Sequence, residues 1–331
     1  MTIALVVEWV IKSIIIIVII LGGFAYLTYF ERRVLARMQS RVGPNRAGPL
    51  GLLQPVADGI KLIFKEELIP ARADKVLFIV APVITVIPAL ILLAVVPFGP
   101  QLGAYEQGLA AGVDIGILYI MAVSSIAVYG IVIAGWASNN KYALLGGLRS
   151  SAQMVSYELA LGLAFVGPIL LTGSLSVEAI VNAQKGLWYI VLQPIGFFIF
   201  FVASLAEVNR APFDMPEAEQ ELVAGYHTEY SGMKFALFFM AEYGKMIAVS
   251  FITATLFLGG YWGPFVEQFP WLGPLYLGAK VVALLFLMIW IRATLPRFRY
   301  DQLMRFNWKR MLPLALLNVA LTGIAVVVLG G

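Results

Sequence analysis

Hydrophobic residues come in eight long runs, at about 9 to 30, 77 to 97, 115 to 137, 152 to 172, 187 to 206, 235 to 258, 272 to 291 and 311 to 329, with polar segments between them. A helix of roughly 20 apolar residues crosses about 30 Å of hydrocarbon with every backbone hydrogen bond closed within itself. Each run meets or approaches that length. The pattern therefore predicts an all-α polytopic membrane protein with about eight transmembrane helices, forming a single membrane domain over residues 1 to 331. The first run is too long for a signal peptide, lacks a small-residue cleavage site and ends in "YFERRVLARMQSR", so it is expected to stay as the first helix.

The segment 31 to 76 carries its own pattern. "RVGPNRAGP" is punctuated by Gly and Pro and predicts a structured turn. In "LLQPVADGIKLIFKEE" the period becomes helical: Leu52, Val56, Ile60, Ile63 and Phe64 fall on one side, and Gln54, Asp58, Lys61 and Lys65 on the other, with Leu62 and Glu67 misplaced. That is the signature of an amphipathic helix lying at the membrane interface.

Composition agrees with the runs. The chain is 61% hydrophobic and 13% charged, with mean hydropathy +0.89, and no polar stretch is long enough to build a second, water-soluble core. The net charge of +4 does not imply nucleic acid, because it follows the membrane. Nineteen of the 23 Lys and Arg lie in 31 to 76, 138 to 151, 207 to 234 and 292 to 310, whereas 98 to 114, 173 to 186 and 259 to 274 hold only Lys185. By the excess of positive charge on the inner side, both termini are expected outside and the acidic loop 207 to 234 inside.

With no Cys and one His, the chain has no ordinary ligand set for an iron–sulfur cluster, no bis-histidine haem site and no thiol nucleophile. Any redox centre must belong to a partner. His227 has no acid–base companion beside it and reads as an ordinary loop residue. Carboxylates within the spans are more informative: Glu158 and Glu242 lie on the order of 10 Å inside, and Glu207 sits at the inner end of the fifth run. At that depth a carboxylate must be protonated, paired or hydrated, and is functional by default. Lys245, three residues after Glu242, shares its helix face and could neutralise it. Lys280 is a further intramembrane charge, nearer the outer side. Asp214, Glu217, Glu219 and Glu221 lead from the inner loop toward Glu207, and if the spans pack together these groups share protons as one coupled reservoir. Ala211, Pro212, Phe213 and Met215 interrupt the acids and indicate packing rather than a solvated loop.

Four stretches, "ERRVLARMQSRVGPNRAGPLGLLQPVADGIKLIFKEE", "GWASNNKYALLGGLRSSAQMVSYE", "LAEVNRAPFDMPEAEQELVAGYHTEYSGMKFALFFMAEY" and "WIRATLPRFRYDQLMRFNWKRMLPL", closely resemble the H-subunit family of bacterial complex I, NADH:quinone oxidoreductase, to which the first NADH dehydrogenase subunit of mitochondria also belongs. The resemblance runs from about Glu31 to Leu314. It implies a membrane subunit of a proton-pumping enzyme in the bacterial plasma membrane, forming the tunnel through which quinone enters and an acidic channel that couples quinone reduction to proton translocation. It implies no cofactor in this chain, quinone as substrate, and FMN and iron–sulfur clusters in partner subunits. The implied partners are the quinone-site subunits of the hydrophilic arm, neighbouring membrane-arm subunits, quinone and membrane lipid. By resemblance, Arg32, Arg41, Asp58, Arg210, Phe213 and Arg292 approach the quinone chamber, and Glu158, Glu207, Asp214, Glu217, Glu219, Glu221 and Glu242 belong to the acidic channel. Lys245 stands where the resemblance implies an uncharged residue.

Competing readings are the equivalent subunit of a membrane-bound hydrogenase or ferredoxin-linked complex, a stand-alone secondary transporter, and a passive anchor. A transporter would be expected to show an inverted repeat, which is not evident, and an anchor has no need of buried carboxylates.

Overall fold

The computed structural model describes residues 3 to 100, 113 to 215 and 223 to 329, with side chains described from residue 7 to residue 328 within them. Among them there are helices and turns and no strand. Among the described residues, seven helical segments are long and apolar enough to span a bilayer. They comprise α1 (Ile3–Met38), α3 (Lys75–Ile91) with the 3-10 turn that continues it, α4 (Gly116–Ala137), α5 (Lys141–Thr172), α9 (Gly232–Phe257), α10 (Leu272–Thr294), and α11 (Tyr300–Phe306) continuing through a π-turn into α12 (Leu312–Leu329). The interfacial helix α2 (Gln54–Ile63) and the short helix α6 (Val177–Ala183) lie between spans.

The fifth apolar run is the irregular one. It folds as α7 (Tyr189–Leu192) and α8 (Pro194–Glu207), broken at Gln193. Pro194 has no N–H to continue the ladder, and a break at membrane depth is tolerated only where protein buries it. Gln193 meets that need. Its Nε2 donates to Thr322 Oγ1 at 2.9 Å, and Gly167 is bare where a Cβ would stand 2.1 Å from Gln193 Oε1. Just before it, Gln184 Nε2 donates to the carbonyls of Ile180 and Thr255, and Gln184 Oε1 accepts from the Tyr189 and Gly259 amides.

The helix α9 is the axis of the molecule. It packs against α1, α3 and α10, and every residue from Tyr243 to Phe257 is buried, as expected of a helix apolar on all sides. Close approach of α3 and α4 depends on Gly130, whose Cβ would lie 2.1 Å from Thr85 Oγ1. Just past the C-terminal end of α9, Lys280 from α10 spends its three donors on the carbonyls of Leu258, Gly260 and Trp262 at 2.6 to 2.8 Å. Those carbonyls belong to the turn that follows α9, so this half-buried lysine ties down the chain where it leaves the helix. The peripheral α1 instead exposes Ile14, Ile15, Val18 and Ile19, a surface suited to lipid.

Candidate functional site

Because α8 ends at Glu207 and the chain turns back through the loop 208 to 215, the side chain of Arg210 is driven inward. The loop is fixed from α5: Gln153 Nε2 donates to the Ala206 and Phe213 carbonyls, both at 2.7 Å. From the other side Phe213 stacks on Phe298, with ring centres 5.6 Å apart, and meets Tyr157. Arg297 donates to the Asp214 carbonyl. Phe213 thus sits in the core as a wedge that holds the loop.

Arg210 is 4% exposed and is paired twice, one arm of its guanidinium on Glu242 of α9 and the other on Glu31 of α1. Glu31 also pairs with Arg292 of α10. Burial of this kind is tolerable only because each charge meets its opposite, and the planar fork of arginine suits two carboxylates at once. The Tyr243 ring lies 4.5 Å from the guanidinium carbon. Burial opposes the charge of Arg210, yet Glu242 and Glu31 together hold its pKa well above the ordinary arginine value. The lysine on the same face as Glu242 is not its ion-pair partner: among the described residues no carboxylate lies within 4 Å of Lys245.

Lys245 is nonetheless 5% exposed and surrounded by acids, with Glu207, Glu242 and Glu158 all within electrostatic reach. Glu207, at the end of α8, is also buried, whereas Glu158 on α5 is partly open at the surface of the chain. Two small cavities of about 20 Å³ each meet at Lys245. One is lined by Thr85, Asn209, Tyr226 and Glu242, the other by Ser124, Ser204 and Glu207.

A larger cavity of about 410 Å³ opens between α1, α2 and α9. Its walls include Phe24, Ala25, Leu62, Ile63, Leu237, Phe239 and Met240, with Arg32, Asp58 and Lys61 as its charged members. Arg32 and Asp58 form an ion pair of 2.7 Å, and Gln54 Nε2 donates to the second oxygen of Asp58 at 3.1 Å. The polar side of α2 thus turns toward α1, while Val56, Ile60 and Phe64 are exposed, as an interfacial helix requires.

The sequence-derived residues therefore separate into groups. Arg210, Glu242 and Arg292 belong to one buried network; Arg32 and Asp58 line the apolar cavity; Glu207 and Glu158 surround Lys245. Arg41 stands exposed in the turn after α1 with its Nε on Gln39. Asp214 lies within electrostatic reach of Glu242. Glu217, Glu219 and Glu221 fall outside the described residues. Glu31 does not stand out in the sequence, because in "YFERR" it reads as part of a basic inner flank; only the fold brings Arg210, 179 positions away, onto it. His227 is buried among Tyr226, Phe235 and Phe239, and burial pushes its pKa down to about 4.

A family model described as NADH dehydrogenase matches residues 11 to 323. The chain is 54% identical over 319 residues to the H subunit of NADH-quinone oxidoreductase from Thermomicrobium roseum, covering 92% of each chain. It is 53% identical over 333 residues to the second of two such H subunits from Geobacter metallireducens, covering 96% of this chain and 95% of that one. To the H subunit from Rickettsia typhi it is 56% identical over 304 residues, covering 90% and 87%.

Proposed function

The chain belongs to the NADH dehydrogenase family of NADH-quinone oxidoreductase H subunits, and from that premise we propose that it forms both the tunnel through which quinone enters from lipid and a buried acidic route that couples quinone reduction to proton movement. It is a membrane subunit of an enzyme whose redox groups lie on partner chains. The observation that carries the reading is the 410 Å³ apolar cavity between α1, α2 and α9, next to helices that also supply the Glu31–Arg210–Glu242 network.

In this reading the isoprenoid tail lies along Phe24, Leu237 and Phe239, which exclude water, and Arg32 and Asp58 give the cavity a polar side. Reduction of a quinone to a quinol consumes two electrons and two protons, so negative charge develops before protons arrive. Electrons come from a partner's iron–sulfur cluster. The network responds electrostatically: Arg210 and Arg292 are shared among two carboxylates, and drawing either arginine toward new negative charge loosens Glu31 or Glu242. A carboxylate that loses its cation takes up a proton more readily. Glu242 is then the first member of a row continuing through Glu207 to Glu158, with Asp214, Glu217, Glu219 and Glu221 supplying its inner mouth. Orientation follows the basic segments, with both termini outside and this row opening inward in a bacterial plasma membrane.

The cavity is tested by filling it. Gly59 lines it and has open space where a Cβ would stand, so Gly59→Leu narrows it without displacing backbone. The enzyme carrying Gly59→Leu should assemble and reduce a hydrophilic acceptor at the normal rate, while KM for a long-tailed quinone rises several-fold. An unchanged KM for every tail length would remove the tunnel reading.

A further inference from the structure

Lys245 is, among the described residues, a buried cation of this region that the ion-pair network leaves out. It rises from the middle of α9 with Glu242 on its own helix, Glu207 from α8 and Glu158 from α5 within electrostatic reach, yet among the described residues it forms no ion pair. Arg210 has already taken Glu242. What Lys245 does touch is space: the cavity on the Glu242 side, bounded by Thr85, Asn209 and Tyr226, and the cavity on the Glu207 side, bounded by Ser124 and Ser204. Each, at about 20 Å³, exceeds the roughly 10 to 15 Å³ that one water needs, and each offers the polar partners a water requires.

We propose that Lys245 is a proton-carrying residue that joins these two cavities, so that the acidic route runs from Glu242 through one water to the lysine amine, and through a second water to Glu207. This rests on the proton-route reading of the buried acids and adds a residue to it. In the step, the ammonium of Lys245 gives a proton through the water beside Glu207 to that carboxylate, leaving a neutral amine and a carboxylic acid. The amine then takes a proton through the other water from the carboxylic acid of Glu242, and Glu242 returns to its pairing with Arg210. One proton has moved from Glu242 to Glu207 and the lysine is restored. The ammonium has three donors, enough to serve both sides. A lysine suits the task because its amine can lose its proton in a buried site, whereas a guanidinium does not.

That difference supplies the test. In the fully assembled enzyme, Lys245→Met keeps the length and removes the proton, Lys245→Arg keeps the charge but does not release it, and Lys245→His restores a group that can. Quinone reductase rate, proton uptake, and electron transfer to a hydrophilic acceptor are measured per assembled complex across pH. Lys245→Met and Lys245→Arg should each lose roughly a hundredfold in quinone-linked proton uptake with the hydrophilic acceptor reaction intact, and Lys245→His should recover part of the rate with an altered pH profile. Wild-type uptake in either Lys245→Met or Lys245→Arg overturns the proposal. Should Lys245→Arg fail to assemble, equal rates in Lys245→Met and Lys245→His overturn it instead. Glu207→Gln, measured alongside, separates the two levels: impaired Glu207→Gln with normal Lys245 variants removes only the lysine from the route, while a normal Glu207→Gln removes the route.

Discussion

Two arginines from the basic segments between spans do different work. Arg210 is enclosed and holds two carboxylates on separate helices, whereas the Arg32 side chain is 50% exposed in its pair with Asp58. Removing one partner of a buried pair strands the others, at a cost of about 3 to 5 kcal/mol, and an exposed pair contributes about 1 kcal/mol or less. Arg210→Met should therefore lower thermal stability or the yield of assembled complex, and Arg32→Ala should leave both near wild type while changing quinone kinetics. Comparing complex yield and melting temperature of the two variants checks this. Such a division is only half legible in the sequence. The type and side of these residues can be read from charge counts, but which carboxylate reaches which arginine depends on helices far apart in the chain. Proximity along α9 points to Lys245 as the cation for Glu242, and the loop after α8 brings Arg210 there first.

His227 yields a second prediction at the same scale. Folded, it takes up a proton near pH 4, and unfolded near its ordinary 6.5. The unfolded chain thus binds the extra proton between these values, so stability is full above about pH 6.5 and is lost as pH falls toward 4, by up to about 3 kcal/mol. Melting temperatures of the assembled complex from pH 7.5 down to 4.5 should show a smaller decline in His227→Leu than in the parent. An identical decline would exclude His227 as the source.

At the scale of elements, apolar run length suffices to locate the membrane helices, and the period of residues 52 to 67 locates α2. The break in the fifth run is less visible. Pro194 is present as a signal, yet a proline inside an apolar run only marks where a helix can break, and the burial of Gln193 against α5 and α12 that makes the break tolerable is a tertiary fact. Gln193→Leu keeps the volume but leaves Thr322 without its donor, a loss of about 1 to 3 kcal/mol for a buried polar group. Its measurable consequence is a lower melting temperature of the assembled complex with unchanged turnover, because Gln193 lines neither the apolar cavity beside α2 nor the two cavities at Lys245.

Across the whole molecule, a central helix carries two ionisable side chains three residues apart, and the surrounding helices bring carboxylates and arginines to it from α1, α5, α8 and α10. Charges this deep are retained only where they are paired or hydrated, and in the proposed function their convergence near the middle of α9 links an apolar cavity to a row of acids. The central claim is that this row passes protons in step with quinone reduction. Glu207→Gln tests it most directly, since it preserves size and hydrogen bonding at a buried position and removes only the ability to carry a proton and a charge. Measured per assembled complex, quinone reductase rate and membrane proton uptake should fall together, and by more than in a complex altered at Glu219 alone, whose neighbours Glu217 and Glu221 can take its place. Wild-type values of both in Glu207→Gln would contradict the account.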